Sequence, residues 1–270
     1  MAQRIEQAEA QLIVKASEAA RRRRADDVGF VIPIAGGVAG FAEAGSPFNK
    51  VAGLGFGGVP RLETLDEIER AYAVLGAPVQ VELAHLADPA IGALLTERGY
   101  RLILFDNVLG LVLLGGEPER VTPPGVEVRS SSEEEFEAWL DVVLDGFAHP
   151  DTQGVPSHDE LPREVIAGAG RDFAAAGGIR YIALRDGVIA GGARLRMAEG
   201  VAQLAGATTA PEHRRRGVQT ALLSARLADA AAAGCGIAVV TTLPGSKSQQ
   251  NVQRQGFDLL YTRATLVREP

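Results

Sequence analysis

From Thr208 to Leu223 the chain reads Thr-Thr-Ala-Pro-Glu-His-Arg-Arg-Arg-Gly-Val-Gln-Thr-Ala-Leu-Leu. An apolar strand runs into an arginine-glycine turn, and the turn opens a helix. That order of elements suits an oxyanion. At a helix start the first backbone N–H groups lack intrahelical acceptors and the macrodipole is positive, so several donors converge on a negative ligand. Arg214, Arg215 and Arg216 add charge, and Gly217 lets a ligand approach the backbone closely. A basic triplet alone is most often a solvated turn, so the flanks decide. Val201 to Gly206 reads as a strand before the turn, and Ile237 to Thr242 as a buried strand after the helix and Gly234. Strand, turn, helix and parallel strand place the anion site at the carboxyl edge of a sheet.

A second polar stretch, Gly146 to Glu160, holds His149 and His158 with Asp151, Asp159 and Glu160. An imidazole titrates near neutral pH, which suits removal of a proton from an ammonium group. The same residues also read as a solvated loop in which Ser157 or Asp159 caps a helix, and the sequence leaves both readings open. The spacing lacks the compact ligand set of a zinc site, so no metal is expected.

These groups need elements to hold them. Gly115-Gly116-Glu117-Pro118 and Pro123-Pro124-Gly125 interrupt the periodic pattern, predicting two domains, 1–120 and 121–270. In the second, Val126 to Val128 starts a strand. Ser130 to Glu133 resembles a helix cap ahead of an apolar stripe at Phe136, Trp139, Leu140 and Val143, which makes Trp139 a core residue. A helix over Pro162 to Ala175 follows, then a hairpin of Ile179 to Leu184 and Val188 to Arg196 around Asp186-Gly187.

With this order and the segment Arg214-Arg215-Arg216-Gly217-Val218-Gln219, the second half resembles the GNAT superfamily of acyl-CoA-dependent N-acyltransferases. The family's pyrophosphate motif is Arg or Gln, two residues, Gly, one residue, then Gly or Ala. Here the last position is Gln219. Ser246 to Phe257 is similar to the family's penultimate helix and its closing Gly-Phe, here Gly256-Phe257. The resemblance implies an α/β fold with a mixed sheet and acetyl-CoA as cosubstrate. It places the pyrophosphate on Arg214, Arg215, Arg216, Gly217, Val218, Gln219 and Thr220, and the acyl carbonyl and pantetheine arm along Ala207, Thr208 and Thr209. Many members carry a tyrosine as proton donor where this chain has Val252. Ser248, Asn251 and Tyr261 are the substitutes available, with Ser248 and Asn251 also candidates for holding the coenzyme arm. The loop with His149 and His158 lies where the family admits its acceptor. The implied activity is N-acetylation of an amine on a small molecule or peptide, and the alternative is a non-catalytic acyl-CoA-binding or sensing protein. A third reading, the arginine loop as a nucleic-acid or acidic-protein contact, rests on charge alone.

The first half reads as a worn copy of the second. Glu67 to Leu75 is a helix ending at Gly76, Val79 to Leu83 a strand, and Ala90 to Arg98 a helix closed by Gly99-Tyr100. From Val79 to Gly99 and from Ile237 to Gly256 the spacing agrees within one residue, and the apolar strands Leu102 to Leu109 and Leu259 to Leu266 follow. In place of three arginines the first half has Gly55-Phe56-Gly57-Gly58-Val59-Pro60, which adds no cation. Tandem GNAT-like folds are therefore expected, one active and one degenerate. The bare glycine cluster also reads as a phosphate loop of its own or as a flexible turn.

Bulk properties bound the remaining choices. The 270-residue chain is 46% hydrophobic with a formal net charge of −7, which disfavours general nucleic-acid binding. No apolar run reaches the roughly 18 residues of a membrane helix, and charges interrupt Ala2 to Ala20, so neither a membrane nor a secretory signal is expected. A lone Cys235 fits a reducing compartment, hence a cytoplasmic location. Arg21 to Arg24 end a helix over Gln3 to Arg24, where cations complement the dipole. A monomer or a homodimer is expected.

Overall fold

The computed structural model describes residues 1–113, 120–149 and 162–270. Along the chain the elements are α1 (Ala2–Arg24), β1 (Phe30–Ile34), β2 (Gly37–Phe41), β3 (Lys50–Leu54), α2 (Leu62–Val74), β4 (Val79–Ala84), α3 (Pro89–Glu97) and β5 (Arg101–Val112). There follow β6 (Val126–Ser130), α4 (Phe136–Ala148), α5 (Arg163–Ala175), β7 (Gly178–Arg185), β8 (Val188–Ala198), β9 (Val201–Thr209), α6 (Val218–Ala232), β10 (Ile237–Thr242), α7 (Lys247–Gln253) and β11 (Asp258–Arg268). They form two compact units that are discontinuous in sequence. Unit 1 is Met1–Val108, Leu161–Ala176 and Leu259–Pro270, and unit 2 is Leu109–Glu160 and Gly177–Asp258.

Unit 1 is built on a hairpin, β1 with β2, extended antiparallel by β3, then parallel by β4, then antiparallel by β11. Helix α1 buries Ile5, Ala8, Leu12, Ile13, Ala16, Ala19 and Ala20, the three-to-four spacing that puts one face on a core, and it stops where Ala25 turns left-handed at φ 54°. Asp88 caps α3 by accepting from Ala90 N–H at 2.9 Å, with Pro89 at the first helical position where its missing N–H costs nothing. Two elements of unit 1 come from the second half of the sequence. Helix α5 docks Ala169, Phe173 and Ala176 into the cluster around Leu12, Ile13 and Phe48. There Arg23 forms a forked pair with the buried carboxylate of Asp172, at 2.9 Å for both hydrogen bonds, and also binds Glu43 at 2.7 Å. The arginine run at the end of α1 thus does more than complement the helix dipole.

Strand β11 is seated in unit 1 by buried polar groups. The Tyr261 hydroxyl donates to Glu6 Oε1 at 2.5 Å and Arg263 Nε to the same oxygen at 2.7 Å. Lys50 Nζ lies 2.9 Å from both Glu82 and Glu9. Burial alone lowers the Lys50 ammonium, but the Glu82 and Glu9 carboxylates outweigh it and raise it above its ordinary value.

Unit 2 carries β6, β7, β8 and β9 as an antiparallel series, with β10 parallel to β9. The β7–β8 turn has Asp186 at φ 54° and Gly187 at φ 80°, the left-handed pair that a two-residue hairpin turn demands. Helix α6 lays Val218, Ala221, Leu222, Leu223 and Leu227 on one side of this sheet, over Ala193, Leu195, Ala202 and Leu204. Helix α4 uses the other side: a Cβ on Gly192 would lie 2.6 Å from Trp139 Nε1 and 2.9 Å from Val143. Trp139 is fully buried and donates to Tyr181 O at 3.1 Å, the core role expected of it. The serines before α4 do not cap it. Its N-cap is Glu135, whose carboxylate accepts from Ser132 N–H and is gripped by Arg129, which holds the Glu135 carboxyl down at about 2.

Candidate functional site

Strands β9 and β10 pair in parallel from Val201 with Ile237 to Leu204 with Val240. Strand β9 then continues to Thr209 with a register shift against β8: Gly192 faces Thr208 while Arg194 faces Ala205. One extra residue on β9 is a β-bulge, and Gly206 at φ 54° makes it. A bulge re-aims backbone groups, and this one lies where the parallel pairing with β10 has stopped. At the same carboxyl end, the buried Thr242 hydroxyl of β10 has no hydrogen-bond partner among the described residues.

The turn after β9 passes through a short 3-10 segment, Pro211–His213, and reaches α6 through two left-handed residues, Arg215 at φ 58° and Gly217 at φ 83°. Gly217 is the N-cap of α6 and makes no side-chain cap hydrogen bond, so the capping residue leaves the N–H groups of the first turn open. A Cβ at Gly217 would lie 2.6 Å from Pro123, so this position requires glycine on steric grounds as well as by its φ. Val218 is locked in the core, whereas Gln219 and Thr220 are half-buried on the first turn. The three arginines differ. Arg215 and Arg216 are exposed, and Arg214 is half-buried with Nε directed at Thr209 O (3.4 Å) and Nη2 donating to His149 O.

Of the other residues that the sequence marked, Ala207, Thr208 and Thr209 end β9, with Thr208 buried. Ser248 is exposed and Asn251 half-buried on α7, three positions apart and so on one face, and Ser246 caps that helix by accepting from Gln249 N–H at 3.2 Å. Because α7 follows β10 directly, topology puts it at the carboxyl end that also carries the arginine turn. Val252 is part of the unit 2 core. His149 ends α4, and its Nδ1 lies 3.1 Å from Asp145 Oδ1, one helical turn earlier, on a side chain that is 64% exposed. His158 lies outside the described residues, as do Asp151, Asp159 and Glu160. Tyr261 belongs to unit 1; its hydroxyl is given to Glu6, and burial first, then the Glu6 carboxylate, raises its pKa. Among the described residues no group of three or more His, Cys, Asp or Glu is arranged to hold a metal ion, and no helix is long and apolar enough to cross a membrane.

Sequence reasoning did not single out several residues that shape this site. Gly206 makes the bulge. Gly146 allows α4 to touch β9, since a Cβ there would fall 1.8 Å from Thr208 Oγ1. Arg194 lies beneath the bulge, with its guanidinium 5.1 Å above the Trp139 ring, and burial together with the neighbouring Arg180 pushes it down to about 10. Positive φ values and close approaches of this kind leave no periodic trace in a sequence.

Residues 127–249 match the family model described as Acetyltransferase (GNAT) domain. Similar solved structures span almost the whole chain. A GCN5-related N-acetyltransferase from Kribbella flavida superposes with a TM-score of 0.63 at 20% identity, over 95% of this chain and 96% of that one. A tandem GNAT protein from the clavulanic acid biosynthesis pathway gives a TM-score of 0.62 at 14% identity, over 94% and 87%. A search of curated proteins found no match. Residues 127–249 therefore match a GNAT domain, and the chain has the fold of GNAT proteins, a tandem one among them.

Proposed function

We propose that the protein transfers an acetyl group from acetyl-CoA to an amine of a small molecule or peptide. The observation that carries this reading is the fork at the end of β9: parallel pairing with β10 stops at Leu204, β9 bulges at Gly206, and the strand runs into an uncapped helix start through Gly217. The first-turn N–H groups of α6 and the exposed side chains of Arg215 and Arg216 would hold the pyrophosphate, with Thr220 as a further donor. Ala207, Thr208 and Thr209 would line the arm and present an N–H to the acyl carbonyl, where donors fixed in advance stabilise developing negative charge. The buried Thr242 hydroxyl, without a partner among the described residues, would serve an amide of the same arm. When bound, the thioester supplies the activated acyl group.

His149 is our candidate base, its ring oriented by Asp145, with Ser248 and Asn251 on α7 as hydrogen-bonding groups for the arm or for the departing thiolate. We assign Tyr261 to the seating of β11, because its proton already serves Glu6. Val252 in the core favours a second reading, a non-catalytic acyl-CoA sensor, since it stands where a proton donor is expected. Holding two reactants together can by itself supply a large part of a rate enhancement, so the missing acid is compatible with turnover. Isothermal titration with acetyl-CoA tests both readings, and an absence of heat at high micromolar concentration would remove them. Thiol release with a panel of amines then separates enzyme from sensor.

A further inference from the structure

Two contacts fasten the last turn of α4 to the end of β9. The first is steric: Gly146 lies so close to Thr208 that no larger residue fits. The second is polar and crosses 65 residues of sequence, with Arg214 donating through Nη2 to His149 O while its Nε points at Thr209 O, 3.4 Å away. A planar guanidinium reaches two carbonyls on different elements at once because its donors diverge in a fixed fork; an ammonium acts as a single point charge. The backbone of Arg214 meanwhile belongs to the turn that opens α6, next to Arg215 at φ 58°. One residue therefore has its main chain in the coenzyme loop and its side chain on the residue that bears the candidate base.

We propose that Arg214 is a positioning residue which couples occupancy of the coenzyme loop to the placement of His149. The proposal rests on the reading of Arg214 to Thr220 as the pyrophosphate site. When phosphate engages the N–H groups at the start of α6, the turn is held in one conformation. The guanidinium is then aimed at Thr209 O and His149 O, and the imidazole, tied to Asp145 at its other side, is fixed with them. Arg215 and Arg216, with exposed side chains, make the charge contacts. Arg214 makes the mechanical one.

The test is a proton–carbon NMR titration of the imidazoles, which a chain with four histidines keeps simple. The His149 signal is assigned by its loss in His149→Asn. In the wild-type protein, saturating acetyl-CoA shifts that signal. In Arg214→Gln and in Arg214→Lys, each brought to saturation with acetyl-CoA as calorimetry defines it, the shift is lost, because neither side chain provides the fork. Arg214→Lys keeps the charge and serves as the second arm should the glutamine variant fail to fold. An unchanged His149 response in the saturated variants, or a wild-type response of zero despite binding, would each overturn the proposal. Failure of the wild-type protein to bind acetyl-CoA at all would instead sink the reading of the loop.

Discussion

The turn that follows β3 in unit 1 and the turn that follows β9 in unit 2 occupy the same step of the chain. Each leaves a strand, enters a helix, and returns on a parallel strand, β4 or β10. In unit 1 the turn is closed against its own backbone. Gly57 N–H donates to Ala35 O at 3.1 Å, a Cβ on Gly57 would lie 2.5 Å from Ala35 C, and one on Gly55 would lie 2.3 Å from Ala87 Cβ. Gly55 and Gly57 are there so that the chain can pack closely, and the Gly57 N–H is already in use. In unit 2 the turn ends in two exposed arginines; the helices α2 and α6 both start without a side-chain cap hydrogen bond. The lesson is that glycine content alone does not set the two turns apart; the Gly57 N–H already in use and the two exposed arginines do.

That contrast can be broken in several ways. The largest expected effect concerns the tyrosines, three of which lie in unit 1 (Tyr72, Tyr100 and Tyr261) and one in unit 2 (Tyr181). Burial is the leading cause that raises all four. The folded chain therefore keeps its phenol protons while the unfolded chain releases them above pH ~10, so stability falls as pH climbs through that value. One unit above it the loss is on the order of 4 to 6 kcal/mol summed over the four. Urea midpoints at stepped alkaline pH, with phenolate absorbance, would show all four tyrosines ionising together with unfolding; a phenolate signal near pH 10 from intact protein would refute the account.

Charge reversal comes next. Arg215→Glu with Arg216→Glu should weaken acetyl-CoA binding by about a hundredfold, as expected for two lost charge-assisted contacts. Arg61→Glu, at the N-cap of α2 in the closed turn, should leave the same titration unchanged. Equal sensitivity of the two turns would erase the distinction between them.

Glycine replacement sharpens the comparison further. Gly217→Ala and Gly57→Ala should each cost about 1 to 3 kcal/mol of stability, the first by its left-handed φ and its contact with Pro123, the second by collision with Ala35. Only Gly217→Ala should also lower coenzyme affinity. Finally, Tyr261→Phe should destabilise the fold by about 1 to 3 kcal/mol, because Glu6 loses a donor in a dry site, while thiol release by the surviving folded protein stays as it was. A selective loss of turnover with unchanged urea midpoint would return Tyr261 to the chemistry.

Much of the second half of the chain was legible in the residues themselves. The hairpin at Asp186-Gly187, the helix opening after Pro162 and the strand Ile237–Thr242 all carry strong local signals, a left-handed turn pair, a proline start and an unbroken apolar run. Strands β1 to β3 were not: Gly37-Val38-Ala39-Gly40-Phe41 and Lys50-Val51-Ala52-Gly53-Leu54 mix glycine and alanine without alternation, since nearly every residue of β2 and β3 is buried on both faces. The first half is legible from Val79 onward, where strand, helix and closing glycine keep the spacing of the second half.

The sequence by itself determined that an arginine-glycine turn opening a helix stands between two parallel strands, because strand, turn and helix are contiguous and their signals are local. Tertiary structure decided what is contiguous only in space. It assigned α5 and β11 to unit 1 through Asp172, Glu6 and Arg263, and it turned Arg214 inward to His149 while leaving Arg215 and Arg216 outside. The physical reason is the same in each case. A charged side chain turned away from solvent settles where its partner is, and no local pattern names a partner that lies 65 to 257 residues away.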